Sequence, residues 1–211
     1  MPGFAGINVN RLKKQRQKPI REINAAGGVE DLSAGFVAID FETANYSRTS
    51  ACAIGLAVVQ DQKVIETFTA LIRPEPFWFL PDFTDIHGIS EADVKDAKDF
   101  GGVWPEIEQR IHGRRLLAHN APFDRSVLNA CLRLFRIKFP QPEFICTCRI
   151  AKAAFPASPN HRLNTICGRM KIALDHHKAE SDALACAQIA LKLCAEDKAA
   201  LAPGLLKPTI W

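Results

Sequence analysis

Residues 35–43 read GFVAIDFET, an apolar run that ends in two carboxylates. A continuous apolar run of this length is typical of a strand that is buried on both faces of a sheet. Asp40 and Glu42 lie two positions apart, so a strand would point both side chains to the same face. Burying two like charges together is costly unless cations neutralise them, and Mg²⁺ is the cation that carboxylate oxygens favour here. On this stretch alone, a strand end whose acids face water is an equally good interpretation.

The composition sets wide limits on the class of protein. The chain has 211 residues, of which 47% are hydrophobic and 24% are charged, which fits one α/β core. The net charge of +4 is compatible with a nucleic-acid partner but does not establish one. No apolar run approaches the roughly 18 residues of a membrane span. No signal-peptide core follows Met1, so we predict neither membrane insertion nor export.

The cysteines indicate a reducing, cytoplasmic location. There are seven, an odd number with irregular spacing, and several lie in apolar segments. Cys146 and Cys148, with His161 and Cys167 nearby, offer zinc ligands, but one residue separates the first two instead of the two found in a zinc knuckle. We therefore do not favour a zinc site.

The pattern of apolar residues predicts five strands and six helices. The expected strands cover residues 35–43, 51–60, 63–72, 115–119 and 143–147. The expected helices cover residues 90–97, 104–112, 148–155, 163–170 and 180–196, with one more that starts at Pro122. Three prolines make residues 74–81 irregular. This order predicts an α/β fold with a five-stranded mixed sheet and helices on both faces.

Three regions follow from this pattern. Residues 1–34 form a basic arm with six lysines or arginines and no acid before Glu22. Such an arm either contacts phosphates or is a solvated tail. Residues 35–196 form the folded domain, and residues 197–211 form an extended tail.

Four carboxylates converge in the predicted fold. In sheets of this kind, sites form where strand ends meet helix starts. Asp124 and Asp182 both lie at helix starts, although the helix dipole alone would explain an acid there. With Asp40 and Glu42 they can surround two metal ions, which would clamp the attacking and leaving oxygens of a phosphoryl displacement. His177 can take a proton from the attacking water near neutral pH.

These residues also carry a family resemblance. Residues 40–43 (DFET), 119–124 (HNAPFD) and 177–182 (HKAESD) resemble the three motifs of the DEDDh 3′–5′ exonucleases, which belong to the ribonuclease H-like superfamily. Residues 86–89 (IHGI) are similar to a loop segment of the proofreading epsilon subunit of DNA polymerase III. The resemblance implies a ribonuclease H-like fold.

The resemblance implies metal-binding roles for the four carboxylates. Asp40 would contact both ions, Glu42 and Asp182 would hold the ion on the nucleophile side, and Asp124 would support the second ion. The expected cofactors are two Mg²⁺ or Mn²⁺ ions per site.

The resemblance also implies a general base and a set of substrate contacts. His177 is preferred to His176 because its separation from Asp182 is the one that the motif requires. Phe123 could instead belong to the core, and Asn120 could simply cap a helix. The implied substrate-binding residues are Phe41, Thr43, Ile86, His87, Asn120 and Phe123.

The reaction implied is hydrolysis of the last phosphodiester at the 3′ end of single-stranded DNA, releasing 5′-mononucleotides in replication proofreading or repair. A DNA polymerase or a repair protein would then be a partner. Two alternatives stay open at this point. One is an RNA-trimming exonuclease similar to ribonuclease T or oligoribonuclease, and the other is a non-catalytic module that binds nucleic acid or a polymerase.

Overall fold

The structure is a computed structural model that describes Leu32 and residues 35–196. Within this part of the chain, five strands form one mixed sheet in the order β3-β2-β1-β4-β5. β1 pairs antiparallel with β2 and parallel with β4, while β2 and β3 form an antiparallel hairpin and β4 and β5 are parallel. The strands are β1 (Phe36–Thr43), β2 (Ala51–Gln60), β3 (Lys63–Leu71), β4 (Leu116–Ala118) and β5 (Phe144–Cys146). The predicted mixed sheet is confirmed.

Seven helices accompany the sheet in the described residues. They are α1 (Pro81–His87), α2 (Glu91–Val94), α3 (Phe100–Ile111), α4 (Ala121–Leu134), α5 (Thr147–Ala154), α6 (Leu163–Met170) and α7 (Ala179–Glu196). Side chains of α3 and α4 join one buried cluster, and side chains of α5, α6 and α7 join the other. Helices therefore cover both faces of the sheet, as predicted.

β1 lies at the centre of the sheet and divides its side chains between these two clusters. Val37, Ile39 and Phe41 pack on the α3–α4 side, and Phe36 and Ala38 pack on the α5–α7 side. All five are at most 3% exposed. The alternation of a strand places Asp40 and Glu42 on the α5–α7 side, beyond the last apolar residue of that face.

Helix α1 was not among the predicted helices, because the prolines of residues 74–81 indicated an irregular segment. Pro81 occupies the first turn, where its missing N–H costs no hydrogen bond. Gly88 ends the helix with φ of 75°, and its N–H donates to the Thr84 carbonyl. The IHGI segment therefore begins in the last turn of a helix.

Helix α3 starts four residues earlier than predicted, and α2 is shorter than predicted. The Asp99 carboxylate accepts a hydrogen bond from the Gly102 N–H at 2.8 Å and so caps α3. Pro105 consequently lies inside the helix instead of near its start. The cap, which lies outside the apolar pattern, decides where this helix begins.

The predicted arm (residues 1–34) and tail (residues 197–211) lie outside the described residues, apart from Leu32, which is buried on the α5–α7 side. No helix among the described residues is long and apolar enough to cross a membrane. All seven cysteines lie in the described part and carry free thiols.

Candidate active site

Three carboxylates meet at the end of β1. Asp40, Glu42 and Asp182 each offer an oxygen, and the three oxygens lie within 4.8 Å of one another. The first two reach this point by strand alternation, and the third comes from the first turn of α7. The sequence prediction that these residues converge agrees with this geometry.

Gly55 is the reason that α7 can approach the sheet so closely. It pairs with Asp40 across β1 and β2. A Cβ at this position would overlap the backbone of Ala179 and Glu180, where α7 begins. Gly55 was not among the residues predicted from the sequence, although a glycine inside an apolar strand is a known signal of close backbone approach.

Asp124 reaches the same strand by a different route. It lies in the first turn of α4, is 2% exposed, and its Oδ1 accepts a hydrogen bond from the Phe41 N–H at 3.1 Å. It lies outside the compact group formed by Asp40, Glu42 and Asp182. The helix dipole alone therefore does not account for Asp124, because its carboxylate also anchors α4 to β1.

Burial and mutual repulsion raise the pKa of every carboxyl in the site. Burial raises the pKa of Glu42 to about 8, and the charges of Asp182 and Asp124 add to that shift. The pKa of Asp124 rises to about 8, mainly through burial, although the Phe41 hydrogen bond opposes the shift. The pKa of Asp182 rises to about 6 for the same main reason, and that of Asp40 rises well above its ordinary value. These carboxyls need a positive charge to remain ionised together.

The donor set fits divalent cations. Asp182 Oδ1 is buried and has no hydrogen-bond partner, which leaves a lone pair for an ion. The ligands are oxygens only, as hard cations such as Mg²⁺ prefer. Asp40, Glu42 and Asp182 could hold an ion directly, and Asp124 adds a fourth negative charge beside them.

Both candidate histidines lie beside Asp182. The backbone N–H of His177 donates to Asp182 Oδ2 at 3.2 Å, and the ring Nε2 of His176 lies 3.8 Å from the same oxygen. The two rings stack with centroids 3.8 Å apart. Burial lowers the pKa of both rings, so both are neutral and able to accept a proton near pH 7. The structure brings His177 to the carboxylates, and the choice between the two rings stays a prediction.

His87 is enclosed by the protein. Its side chain is 3% exposed, its Nδ1 accepts from the Ile89 N–H at 3.0 Å, and its Nε2 lies 3.2 Å from the Thr43 carbonyl. The Lys178 ammonium donates to the His87 carbonyl at 3.3 Å. Both ring nitrogens are thus engaged within the chain, and the ring joins the end of β1 to the segment after α1. Ile86, by contrast, is 54% exposed.

The other predicted substrate contacts differ in their exposure. Phe41 and Thr43 are buried. Asn120 is exposed with φ of 80°, and its side chain makes no cap hydrogen bond. Phe123 is half-buried against the core, with the Arg48 guanidinium 4.7 Å from its ring centre. Ile86, Asn120 and Phe123 are the predicted contacts whose side chains a substrate can reach.

The comparison of the sequence with protein families decides the class. The profile of the RNase_T exonuclease family matches residues 37–190, which is well over half of the chain and includes all three motifs. The chain belongs to the exonuclease family. The predicted resemblance to a family of exonucleases is therefore confirmed.

Relatives of this exonuclease include much larger proteins. It is 32% identical over 163 residues to the PolC-type DNA polymerase III of Bacillus subtilis (strain 168), an alignment that covers 75% of this chain and 11% of the polymerase. The PolC-type DNA polymerase III of Bacillus cereus is 29% identical over 162 residues, with the same coverage. The chain thus spans about a tenth of the length of these relatives.

Solved structures show the same fold. Exonuclease X in complex with 5′-overhanging duplex DNA aligns with a TM-score of 0.62 and 23% identity, covering 82% of this chain and 97% of that one. The nuclease domain of 3′hExo, a DEDDh family member bound to rAMP, aligns with a TM-score of 0.66 and 19% identity, covering 78% and 93%. The ribonuclease H-like fold is therefore confirmed.

The exonuclease also contains polar residues near the site that the sequence analysis did not single out. His119 Nε2 lies 2.8 Å from the His161 carbonyl, and His119 Nδ1 lies 3.1 Å from the Thr147 hydroxyl. The charge of Lys178 lowers the pKa of Glu42, against the larger effect of burial. Both residues belong to the quoted motifs, but only the folded chain shows what they contact.

Proposed function

We propose that this exonuclease uses two divalent ions, Mg²⁺ or Mn²⁺, to remove 5′-mononucleotides from the 3′ end of single-stranded DNA. The observation that carries the proposal is the group of three carboxylates within 4.8 Å, one of which has an unpartnered buried oxygen. A module that only binds nucleic acid has no need of converging acids, since like charges repel a polyanion.

Each acidic residue has a defined part in this proposal. Asp40, Glu42 and Asp182 bind the ions, and Asp124 adds charge while its hydrogen bond keeps β1 and α4 in register. Bound divalent ions supply charge neutralisation at the phosphate and favour ionisation of water. His177 accepts the proton of the attacking water, and its neutral ring suits that task.

A water oxygen attacks the terminal phosphorus, and the bond from phosphorus to the 3′ oxygen of the preceding nucleotide breaks. The 3′ oxygen leaves with the electrons of that bond and takes up a proton from solvent water, so the shortened strand ends in a 3′ hydroxyl and the released nucleotide keeps the 5′ phosphate. Ile86 and Phe123 would pack against the terminal base, which requires that base to be unstacked and tolerates its identity.

DNA is preferred to RNA in this proposal because the curated relatives are DNA polymerases. A polymerase or repair complex would be the corresponding partner. One observation favours the RNA alternative. A solved structure with the same fold is that of a 3′-exonuclease that recognises a histone mRNA stem-loop. Choice between the sugars depends on packing at the 2′ position.

Cleavage of labelled strands tests the function. Single-stranded DNA and RNA of one sequence, labelled at either end, should be compared with Mg²⁺ and with EDTA. We expect mononucleotides from the 3′ label, faster loss of DNA than of RNA, and no cleavage in EDTA. Full activity in EDTA, or efficient cutting of a closed circular strand, would contradict the proposal. Binding without any cleavage would favour the non-catalytic module.

The free cysteines bear on the cellular location of the enzyme. All seven cysteines are free, and five of them are buried in apolar surroundings. We include a reducing, cytoplasmic location in the proposal for this reason.

A further inference from the structure

Charged residues are divided unequally between two consecutive segments of the chain. Residues 61–111, which form β3 and α1–α3, contain five lysines or arginines and eleven acids. Residues 112–174, which form β4, β5 and α4–α6, contain eleven lysines or arginines and two acids. Of those two acids, Asp124 belongs to the active site and Glu143 pairs with Arg115 at 2.8 Å. The segment that contains β4, β5 and α4–α6 is therefore basic, and the segment that contains β3 and α1–α3 is acidic.

A chain of contacts ties part of the basic side to the active site. His119, in the second motif, contacts the His161 carbonyl through Nε2 at 2.8 Å. His161 Nε2 in turn lies 2.9 Å from the Phe155 carbonyl, and the Arg169 guanidinium lies 4.7 Å from the Phe155 ring centre. Residues 155–162 are thus held against the end of β4, at the carboxyl ends of the strands, where the carboxylates also meet.

Three cations surround this segment and remain available. Lys152 lies on α5, Arg162 directly precedes α6, and Arg169 lies in the last turn of α6. All three are exposed. None of the three forms an ion pair with a carboxylate of the described residues, whereas Lys98 and Arg110, on the β3 side, are both paired. Exposed cations without carboxylate partners, in a region of positive charge, are suited to bind a polyanion such as a nucleic-acid strand.

We propose that the α5–α6 surface, defined by Lys152, Arg162 and Arg169, binds phosphates of the strand upstream of the nucleotide being removed. The inference rests on the proposed function and adds the direction from which the single strand approaches the carboxylates. The single strand passes over the α5–α6 surface to reach the carboxylates, and the eleven acids of residues 61–111 disfavour an approach across that part of the molecule.

Two matched triple variants test this surface. The first is Lys152→Gln, Arg162→Gln and Arg169→Gln. The control is Lys63→Gln, Lys95→Gln and Lys98→Gln, which removes the same charge from exposed positions on the β3 side. Binding of a labelled 30-nucleotide strand is measured in Ca²⁺, which blocks cleavage, over a range of salt. Each phosphate contact on a single strand contributes about 0.7 to the slope of log K against log salt. We expect the first triple to reduce that slope by about 2 and the control to leave it unchanged.

Substrate length provides a second readout. The first triple should lower kcat/KM more for the 30-nucleotide strand than for a dinucleotide, which has no upstream phosphates. Equal slopes for the first triple and the wild type would overturn the inference, as would an equal loss in the control. If the first triple unfolds at a lower temperature, the single variants Lys152→Gln and Arg162→Gln should each still reduce the slope by about 0.7.

The proposed function and this inference can fail separately. Hydrolysis of the p-nitrophenyl ester of thymidine 5′-phosphate by the wild-type protein in Mg²⁺ reports on the carboxylates without any strand. Hydrolysis of the ester with unchanged slopes would overturn only the α5–α6 surface. Absence of all hydrolysis would overturn the function itself.

Discussion

The carboxylates of the candidate active site and the side chains proposed to contact the substrate are held in different ways. Asp40, Glu42 and Asp182 are fixed by the backbone of a central strand and of a helix that touches that strand. Ile86 and Phe123 project from the end of α1 and the start of α4, where they are at least partly exposed. The first group cannot move without moving the core, whereas the second can change without disturbing it. Changes in the first group should therefore affect both stability and chemistry, and changes in the second should affect mainly substrate affinity.

The largest effect is expected from Asp40→Asn. Loss of a carboxylate that holds the ions should lower kcat by several orders of magnitude. Its removal also relieves repulsion among buried acids, so the unfolding temperature in EDTA should stay the same or rise. Steady-state hydrolysis and thermal unfolding measure both effects. The exposed Asp96→Asn should change neither, and an Asp40→Asn protein with normal turnover would refute the metal-binding role.

The next effect concerns the two stacked histidines. His177→Ala should lower kcat by roughly 10²–10⁴-fold, the usual contribution of a general base. His177 has φ of 67°, so His177→Asn is a useful second variant because asparagine tolerates this conformation. Binding of Mg²⁺, followed by calorimetry, should change much less than kcat. If His176→Ala causes the larger loss of kcat, the choice of base is wrong.

Gly55→Ala should lower both stability and activity, although it replaces no carboxylate. The added Cβ overlaps backbone atoms of Ala179 and Glu180, so α7 must shift. We expect a loss of about 1–3 kcal/mol in the free energy of unfolding. Displacing Asp182 by about 1 Å should also lower kcat by roughly 10²-fold. Gly168→Ala is the control, because nothing lies within 4 Å of its added Cβ, and it should be neutral or stabilising.

The raised pKa values predict how pH affects the metal-free protein. Glu42 and Asp124 have pKa values of about 8 and Asp182 of about 6, all above the ordinary range near 4. The folded state then binds more protons than the unfolded state between about pH 4 and pH 8, so stability falls as pH rises through that window. Denaturant unfolding in EDTA from pH 5 to pH 9 should show this fall. Added Mg²⁺ should reduce this loss of stability most at high pH. Stability that rises with pH in EDTA would contradict the buried carboxylate cluster.

The smallest effect is expected at the exposed wall of the site. Ile86→Ala should raise KM about fivefold, corresponding to roughly 1 kcal/mol of lost apolar contact. kcat and the unfolding temperature should hardly change, because the side chain is 54% exposed. Ile65→Ala, at 57% exposure on β3, is the matched control and should leave KM unchanged. Equal values of KM for the two variants would remove Ile86 from the substrate contacts.

Most strands and helices could be predicted from the sequence because their apolar periodicity is strong and local. The helix 163–170 was predicted at its observed bounds, and β2 likewise. Helix α1 was missed because Pro81 reads as a breaker unless it occupies the first turn. Helix α3 was shortened because its start depends on the Asp99 side chain and not on hydrophobicity.

The sequence by itself determined the family of this protein, since residue type and order along the chain predicted the resemblance to exonucleases and the strand that carries Asp40 and Glu42. Only the tertiary structure decided which of those residues touch. The hydrogen bond from Phe41 to Asp124 spans 83 residues, and the close approach of α7 to Gly55 spans more than a hundred. The tertiary structure also places His87 in the interior, where both of its ring nitrogens contact backbone groups. The physical reason is that burial and pairing belong to contacts between distant segments, and a local pattern of residues contains no record of them.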